Sequence, residues 1–295
     1  MGIKKIDKIL YGGRWDIAYR HKGLQEEYSI CKSPKGEYCA DPFILDVNGV
    51  DYIFCEQYRM DRRKGCIGYF QFIDGVPVNK GIIIEKPYHL SYPCVFNYQD
   101  VIYMIPESSE NKTVELYKAV EFPYRWEFKH VLLAGQSYVD TTVITNEDEI
   151  HFLTYHCLGD GYVLEKYALA DNLLSANKIT EKFFAMNTGR GAGAVYYDLS
   201  GSRIRPSQNC IRNYGESIIF NRVIRDDELY EEETIEKLTK CDVKISQSKN
   251  VVGIHTFASN EKYEVIDLFT RRLDCTFTLG NIIAKRLRKR RLLKK

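Results

Sequence analysis

The stretch CADPFILDVNGVDYIFCEQY, at residues 39–58, decides the fold class of this chain. Two apolar runs flank the pair Asn48-Gly49, and an Asn-Gly pair between two such runs is typical of a tight β-hairpin. Asp41 stands near the start of the first run, and Glu56 stands near the end of the second. The stretch therefore predicts a hairpin that carries two acids at the same end.

Both strands of this hairpin recur along the chain. The first strand, ADPFIL at 40–45, is matched by SYPCVF, VDTTVI and GAGAVY at 91–96, 139–144 and 191–196. The second strand, YIFCE at 52–56, is matched by YMIPE, HFLTY and IRPSQ at 103–107, 151–155 and 204–208. A fifth and weaker copy covers 253–269. Strand–turn–strand units about 50 residues apart are the pattern of a β-propeller.

We therefore predict an all-β chain folded as a five-bladed β-propeller over residues 1–278. The segment RWDIAYR at 14–20 alternates in polarity, and we expect it to pair with the last repeat and close the ring. The alternative is a β-sandwich whose strands share this spacing by coincidence. Two helices are predicted as well. One is inserted in the last repeat at about 226–240, and one forms the C-terminal tail, 279–295, where apolar residues recur at helical spacing.

The C-terminal tail is strongly basic. Eight of the eleven residues from 285 to 295 are Lys or Arg, whereas the net charge of the whole chain is only +2. The rest of the chain is therefore acidic overall, which argues against a nucleic-acid partner. A basic amphipathic helix at a terminus is typical of binding to an anionic membrane surface, so we expect residues 280–295 to bind one. A disordered, solubilising tail is the alternative.

The cysteines and the apolar runs indicate the compartment. The nine cysteines are odd in number and no two form a C-x-x-C pair, which argues against a disulfide framework and against a zinc site. No run approaches the length of a membrane span, and the N-terminus lacks the apolar segment of a secretory signal. We therefore expect a cytoplasmic protein that is peripheral at the inner face of the membrane.

The inner strands of a propeller surround its axis, so residues at one register of the repeat are expected to meet there. The second position of the first strand holds Asp41, Tyr92, Asp140 and Ala192. The last position of the second strand holds Glu56, Glu107, Tyr155 and Gln208. Neighbouring carboxylates in a cleft split their pKa values, which suits general acid–base chemistry. The alternative is that these acids satisfy backbone groups between blades.

Cations and histidines supply further candidates. Arg190 and Arg212 lie among glycines and small residues in 187–217, and guanidinium groups bind phosphate and carboxylate. His89 and His255 fall near the starts of blades, where we expect them to line the channel. Because the histidines are scattered, no metal site is predicted, and no motif for a bound cofactor is found.

Several segments together resemble one group of proteins: ADPFIL, FCEQY, KPYHLSYPCVF, YMIPESSENKTVELYKA, VDTTV and RPSQNCIRNYGESI. They resemble five-bladed propellers related to family 43 glycoside hydrolases. In particular, they are similar to the N-terminal domain of plant glucosamine inositolphosphorylceramide transferases and its stand-alone bacterial relatives. The resemblance runs from about Trp15 to Phe269. It implies a five-bladed propeller that acts on carbohydrate.

The resemblance also implies roles for single residues. In family 43 hydrolases a base Asp lies on the first blade, a second Asp on the third blade tunes pKa values, and a Glu on the fourth blade is the general acid. Asp41 matches the base and Asp140 matches the second acid, but the fourth-blade strand GAGAVY holds no Glu. Without this acid a glycosidic oxygen is hard to protonate, whereas a phosphate leaving group needs cations instead, such as Arg190 and Arg212.

We therefore expect a glycosyltransferase in surface polysaccharide or glycolipid assembly, with a sugar-nucleotide donor and a glycan or glycolipid acceptor. The candidate catalytic residues are Asp41, Asp140 and Glu107. The candidate substrate-binding residues are Glu56, His89, Tyr92, Arg190, Gln208, Arg212 and His255. Two alternatives remain. One is a glycoside hydrolase in which Glu107 or Glu56 replaces the missing acid, and the other is a sugar-binding propeller without catalysis.

Overall fold

The chain folds almost entirely into strands. The computed structural model describes residues 11–273 except 25–26, 146–148, 199 and 248–249. Within these residues 22 strands form five sheets, and the helical structure is one short 3₁₀ turn, Ser109–Asn111. No helix in this part of the chain has the length and apolar character of a membrane span. The predicted basic helix at 279–295 and the domain boundary predicted before it lie outside the described residues.

Each sheet is one blade of a five-bladed β-propeller. The first two strands, β1 (Tyr11–His21) and β2 (Ser29–Ile30), belong to the last blade. Blade one consists of β3 (Glu37–Val47), β4 (Val50–Arg59), β5 (Lys64–Ile73) and β6 (Val76–Ile84). Blade two consists of β7 (Ser91–Tyr98), β8 (Val101–Ser108), β9 (Thr113–Glu121) and β10 (Arg125–Ala134). Blade three consists of β11 (Val139–Thr145), β12 (Ile150–Leu158), β13 (Gly161–Leu169) and β14 (Ala176–Phe184).

The last two blades have interrupted inner strands. Blade four consists of β15 (Thr188–Gly191), β16 (Tyr196–Tyr197), β17 (Arg203–Asn209), β18 (Ser217–Asp226) and β19 (Tyr230–Thr239). Blade five adds β20 (Val251–Gly253), β21 (Phe257–Ser259) and β22 (Tyr263–Leu273) to β1 and β2. The inner strands β3, β7, β11 and β15 contact one another in turn around the axis. The predicted propeller is therefore confirmed.

The turn that was read from the sequence of blade one has the expected geometry. Asn48 and Gly49 both have positive φ, 53° and 81°, between the paired residues Val47 and Val50. Positive φ at both central residues defines a type I′ turn, whose twist matches that of the flanking strands. Because this turn sets the strand register, it also fixes which residues of β3 and β4 lie at the other end of the hairpin.

The ring is closed by the two ends of the described chain. β1 pairs antiparallel with β22 along its whole length, from Tyr11 opposite Leu273 to His21 opposite Tyr263. The predicted closing strand at 14–20 lies within β1, so this prediction is confirmed. The fifth blade therefore cannot assemble without the N-terminal strand.

The predicted helix at about 226–240 is wrong. This segment forms the end of β18, a turn and β19, the outer strand of blade four. Its many charges are paired across the two strands, as between Arg222 and Glu233 at 2.6 Å and between Arg225 and Glu231 at 2.7 Å. Glu232, between the two exposed acids, is instead buried. Burial alternates from Tyr230 to Glu233, as expected of a strand, and cross-strand pairing rather than helical propensity decided the structure.

Candidate functional site

The same irregularity occurs in the inner strands of three consecutive blades. The pairing register shifts within β3, β7 and β11, which marks a β-bulge in each. One residue at each bulge has a left-handed backbone: Asp41 (φ 51°), Tyr92 (φ 44°) and Asp140 (φ 51°). These residues occupy the second position of the repeat in the sequence. Left-handed residues other than glycine are uncommon and concentrate at functional sites, and bulges re-aim side chains.

Carboxylates of one blade hold the bulge of the next. The N–H of Asp41 donates to Asp267 Oδ2 at 3.1 Å, and the N–H of Tyr92 donates to Asp41 Oδ2 at 3.2 Å. In the same way the N–H of Asp140 donates to Glu107 Oε2 at 3.1 Å. The alternative reading of the acids, as partners for backbone groups between blades, is thus correct for Asp41 and Glu107. These hydrogen bonds do not use all of the acceptor positions of Asp41 and Glu107, because a carboxylate has about four of them.

Asp41 also faces the fifth blade. The hydroxyl of Thr256 donates to Asp41 Oδ1 at 3.1 Å, and Nε2 of His255 lies 3.2 Å from the same oxygen. Burial raises the pKa of Asp41 above its usual range, and the charge of His255 opposes this shift. Asp41 is thus a buried carboxyl with one cationic neighbour and, on Oδ2, a single donor among the described residues.

His255 lies between two carboxyl groups. Its Nδ1 is 2.6 Å from Asp267 Oδ2, on the side of the ring opposite Asp41. The indole of Trp15 stacks on the imidazole with centroids 3.9 Å apart. Burial alone would lower the pKa of His255, but the carboxylates of Asp267 and Asp41 raise it. The ring is therefore held as a cation that orients Asp41.

These three residues also meet a geometric condition for metal binding that the sequence did not suggest. Candidate ligand atoms of Asp41, His255 and Asp267 all lie within 4.8 Å of one another. The two ring nitrogens of His255 point in different directions, however, and each already contacts a different carboxylate. The arrangement is that of an imidazolium between two carboxylates.

Asp140 is paired with Arg190. The guanidinium donates from Nε to Asp140 Oδ2 at 2.7 Å and from Nη2 to Oδ1 at 2.9 Å, a bidentate contact. The amide of Gln208 lies 3.4 Å from Asp140 Oδ2 and donates to the carbonyl of Gly191 at 2.7 Å. Burial raises the pKa of Asp140 to about 6, and Arg190 opposes the shift. The structure therefore brings Asp140, Arg190 and Gln208 together.

A cavity of about 210 Å³ opens beside Arg190. It is lined by Tyr162, Asn187, Arg190, Cys210 and Tyr214. The guanidinium lies 5.3 Å from the centre of the Tyr162 ring, within cation–π distance. Tyr214 is half exposed, and its ring meets that of His255 edge-on with centroids 5.1 Å apart. The cavity thus adjoins both the Asp140–Arg190 pair and the His255 side of the site.

Glu56 and His89 form a second pair. The N–H of Gly65 donates to His89 Nδ1 at 3.0 Å, so the ring carries its proton on Nε2, which lies 3.3 Å from Glu56 Oε1. Burial lowers the pKa of His89, which favours the neutral ring. Burial also raises the pKa of Glu56 well above its usual range, and the charges of Asp41 and Glu107 act in the same direction.

Other candidates from the sequence have different surroundings. Tyr92 is buried, and its hydroxyl is engaged by Thr142 at 2.9 Å and by the N–H of Gly193 at 2.8 Å. The side chain of Arg212 is 77% exposed and pairs with Glu216 at 2.9 Å. Tyr92 therefore has a structural role, because its hydroxyl links the inner strands of neighbouring blades. Arg212 does not join the hydrogen-bond network of the other candidates.

Several residues of the site escaped the sequence analysis. Asp267 contacts both Asp41 and His255, yet it lies in the fifth repeat, whose strands match the others poorly. Trp15 lies in the strand that closes the ring, outside the repeats that were aligned. The weak fifth copy was a usable signal for Asp267, because β22 takes the place of the second strand of the other blades.

The fold and the site define the class of this protein: a five-bladed β-propeller whose axial end holds a cluster of buried carboxyl groups. The chain belongs to the family described as "Glucosamine inositolphosphorylceramide transferase 1, N-terminal", whose model matches residues 28–264. Glucosamine inositolphosphorylceramide transferase 1 of Arabidopsis thaliana is 30% identical over 237 residues, which cover 75% of this chain and 30% of that protein. The protein of the same name from Oryza sativa subsp. indica is 29% identical over 217 residues, or 70% of this chain and 27% of that protein. The chain thus spans less than a third of the length of these relatives.

Solved structures share the fold. Zg3597, a family 117 glycoside hydrolase of Zobellia galactanivorans, aligns with a TM-score of 0.57 at 12% identity, covering 88% of this chain and 91% of that one. The α-L-arabinofuranosidase PaAbf62A of Podospora anserina aligns with a TM-score of 0.57 at 11% identity, covering 82% and 93%. At such identities the likeness concerns the propeller alone.

Proposed function

We propose that this protein is a carbohydrate-active enzyme that transfers a glycosyl group to a hydroxyl acceptor, with Asp41 as the general base. The observation that carries the proposal is the placement of Asp41 on a left-handed bulge at the axis, between Thr256 and the cationic ring of His255. The relatives named for glucosamine transfer and the propellers described as glycoside hydrolases support a carbohydrate substrate.

The chemistry asked of Asp41 is proton removal from the attacking hydroxyl. A base works best when its pKa approaches the working pH, and burial raises the pKa of Asp41 in that direction. The contact with His255 keeps the carboxylate in place while the acceptor approaches. Arg190 lines the neighbouring cavity and would orient the sugar through its N–H groups that Asp140 does not use.

The acceptor and the location follow from the tail. A glycan or glycolipid under assembly at the inner membrane face would be presented at an anionic surface, and residues 280–295 are suited to bind such a surface. The enzyme would then be cytoplasmic and peripheral at the membrane. No cofactor other than the sugar donor enters this proposal.

The donor class depends on which cations are available to bind phosphate. A sugar nucleotide requires cations for its phosphates, and Arg190 and Arg212 were the expected ones. Arg190 is charge-paired with Asp140, and Arg212 is paired with Glu216 at an exposed position. Hydrolysis is the second candidate function. It is favoured by Glu56, a buried carboxyl whose pKa is raised well above its usual range by burial and which would replace the acid missing from blade four.

The test is turnover by the purified full chain. Sugar nucleotides and nitrophenyl glycosides are incubated with and without alcohol acceptors, and products are identified by mass spectrometry. We expect acceptor-dependent product, lost in Asp41→Asn while circular dichroism shows that the variant is still folded at the assay temperature. Acceptor-independent release of free sugar would establish the hydrolase. Donor binding without product would leave a sugar-binding propeller, and an active Asp41→Asn variant would contradict Asp41 as the base.

A further inference from the structure

Among the buried carboxyl groups of the axial cluster, Glu56 has distinct surroundings. Asp41, Glu107 and Asp267 each accept at least one backbone N–H from a neighbouring blade. Asp140 accepts two N–H groups from Arg190. A carboxyl that accepts several N–H groups is stabilised in its ionised form. Each of these four groups is therefore committed as an acceptor.

Glu56 has no such donor. Its side chain is 10% exposed, and its partner within the described part of the chain is Nε2 of His89, 3.3 Å from Oε1. No hydrogen bond to Oε2 is found among the described residues. The groups whose charges act on Glu56 are Asp41, Glu107, Cys39 and Asp267, and all of them favour its neutral form.

His89 is the polar neighbour of Glu56. Nδ1 of His89 accepts the N–H of Gly65, and Nε2 lies 3.3 Å from Glu56 Oε1 without the alignment of a hydrogen bond. The backbone N–H of His89 is held in turn by Glu110 at 2.6 Å. Glu56 therefore accepts no hydrogen bond from the described residues, and a buried carboxyl without a donor favours its protonated form.

We propose that Glu56 is the general acid of this site and that the donor is a glycoside rather than a sugar nucleotide. The inference rests on the proposed function, since it takes Asp41 as the base. The bond between the anomeric carbon and the leaving oxygen breaks, and its electron pair stays on that oxygen, which takes the carboxyl proton of Glu56. The acceptor oxygen bonds to the anomeric carbon and gives its proton to Asp41. Exchange with water then returns a proton to Glu56 and removes one from Asp41.

The same register of the repeat offers a matched comparison. Glu56 and Glu107 are the last residues of equivalent strands, but Glu107 accepts the hydroxyl of Ser109 at 2.8 Å and the N–H of Asp140 at 3.1 Å. Glu107 is therefore a positioning residue for Asp140, not a proton donor. The variants Glu56→Gln and Glu107→Gln each replace a carboxyl group with an amide at equivalent positions of two blades. Their effects on turnover should nevertheless differ in kind.

The first experiment needs no substrate. The full chain is labelled with ¹³C at the side-chain carboxyl of glutamate, and the resonances of Glu56 and Glu107 are assigned by their loss in the two Gln variants. We expect the Glu56 carboxyl to remain protonated at neutral pH. A Glu56 resonance that titrates in the ordinary glutamate range overturns the inference, because an ionised carboxylate has no proton to give.

The second experiment compares leaving groups. With 2,4-dinitrophenyl and methyl glycosides of one sugar, Glu56→Gln should lower kcat/KM for the methyl glycoside by about 10²–10⁴ and change it little for the dinitrophenyl donor, whose oxygen needs no proton. Glu107→Gln should lower both by a similar factor. If Glu56→Gln slows both equally while turnover depends on Asp41, the inference fails and the proposed function stands. If neither glycoside is turned over while a sugar nucleotide gives acceptor-dependent product, the inference fails and the proposed function stands. If no donor of either kind is turned over, both fail.

Discussion

The carboxylate of Asp267 accepts the backbone N–H of Asp41 at 3.1 Å, although the two residues lie 226 positions apart in the chain. The same carboxylate accepts the N–H groups of His255 and Thr256 at 3.0 and 2.9 Å. One buried side chain of the last blade therefore holds the candidate base of the first blade together with its two neighbours. The interface between the last and the first blade closes the ring, and it is also where Asp41 meets His255 and Thr256.

This role makes Asp267 a strong determinant of stability. We expect Asp267→Asn to lower the free energy of unfolding by about 3–5 kcal/mol, because it leaves His255 without one partner in a buried site. Denaturant unfolding measures the change. Asp61→Asn, which removes an exposed acid paired with Arg59, serves as the control and should leave the midpoint unchanged. A loss below about 1 kcal/mol for Asp267→Asn would contradict its assigned role.

The Asp140–Arg190 pair should respond to pH. Because the folded pKa of Asp140 is raised to about 6, the folded chain holds this proton more tightly than the unfolded chain does. The contribution of Asp140 to stability therefore falls as pH rises from about 4 to about 6. Arg190→Met removes the opposing cation, so the folded pKa rises further and the decline extends above pH 6.

The measurement is the free energy of unfolding of Arg190→Met and wild type at pH 5 and at pH 8. We expect a difference of about 3–5 kcal/mol at pH 8, where a carboxylate is left buried without its cation, and a smaller one at pH 5. The matched control is Arg212→Met, an exposed arginine of the same region, which should have no effect at either pH. An equal loss at both pH values for Arg190→Met would show that packing, not charge, is responsible.

The outer strand of blade four predicts a pattern with a period of two. Glu232 is 7% exposed and pairs with the fully buried Arg205, whereas Glu231 and Glu233 are 55% and 53% exposed. Glu232→Gln should cost about 3–5 kcal/mol, and the same change at Glu231 or Glu233 should stay within about 0.5 kcal/mol. Equal losses at the three positions would refute the assigned strand geometry.

The tail supports a prediction about membranes. Removal of residues 280–295 takes away the basic cluster, in which each cation near an anionic surface contributes about 1 kcal/mol to binding. We expect the shortened chain to lose binding to phosphatidylserine-containing vesicles in a flotation assay, while the full chain binds and is released by salt. Vesicles of phosphatidylcholine alone are the control. Unchanged binding of the shortened chain would show that the contact with membranes lies elsewhere.

Local pattern was enough to predict the blades, because a strand pair joined by a two-residue turn depends on residues that are close in the sequence. Asn48-Gly49 specifies the first hairpin, and the recurrence of the two hairpin strands along the chain specifies the number of blades. The register of Asp41, Tyr92 and Asp140 was likewise readable, since equal positions in a repeat become equal positions around an axis. The helix predicted at 226–240 was wrong, because a segment with many charged and few apolar residues also suits an outer strand whose charges pair with those of its neighbour.

What the sequence alone determined is the architecture and the identity of most candidate side chains. Only the tertiary structure decided their roles. Glu56 and Glu107 are the same residue type at equivalent positions of the repeat. In the structure, however, Glu56 lies beside the neutral ring of His89, whereas Glu107 accepts the backbone N–H of Asp140. The reason is physical: the proton affinity and the bonding of a buried carboxyl are set by donors and charges from other blades, and those neighbours are brought together only when the ring closes.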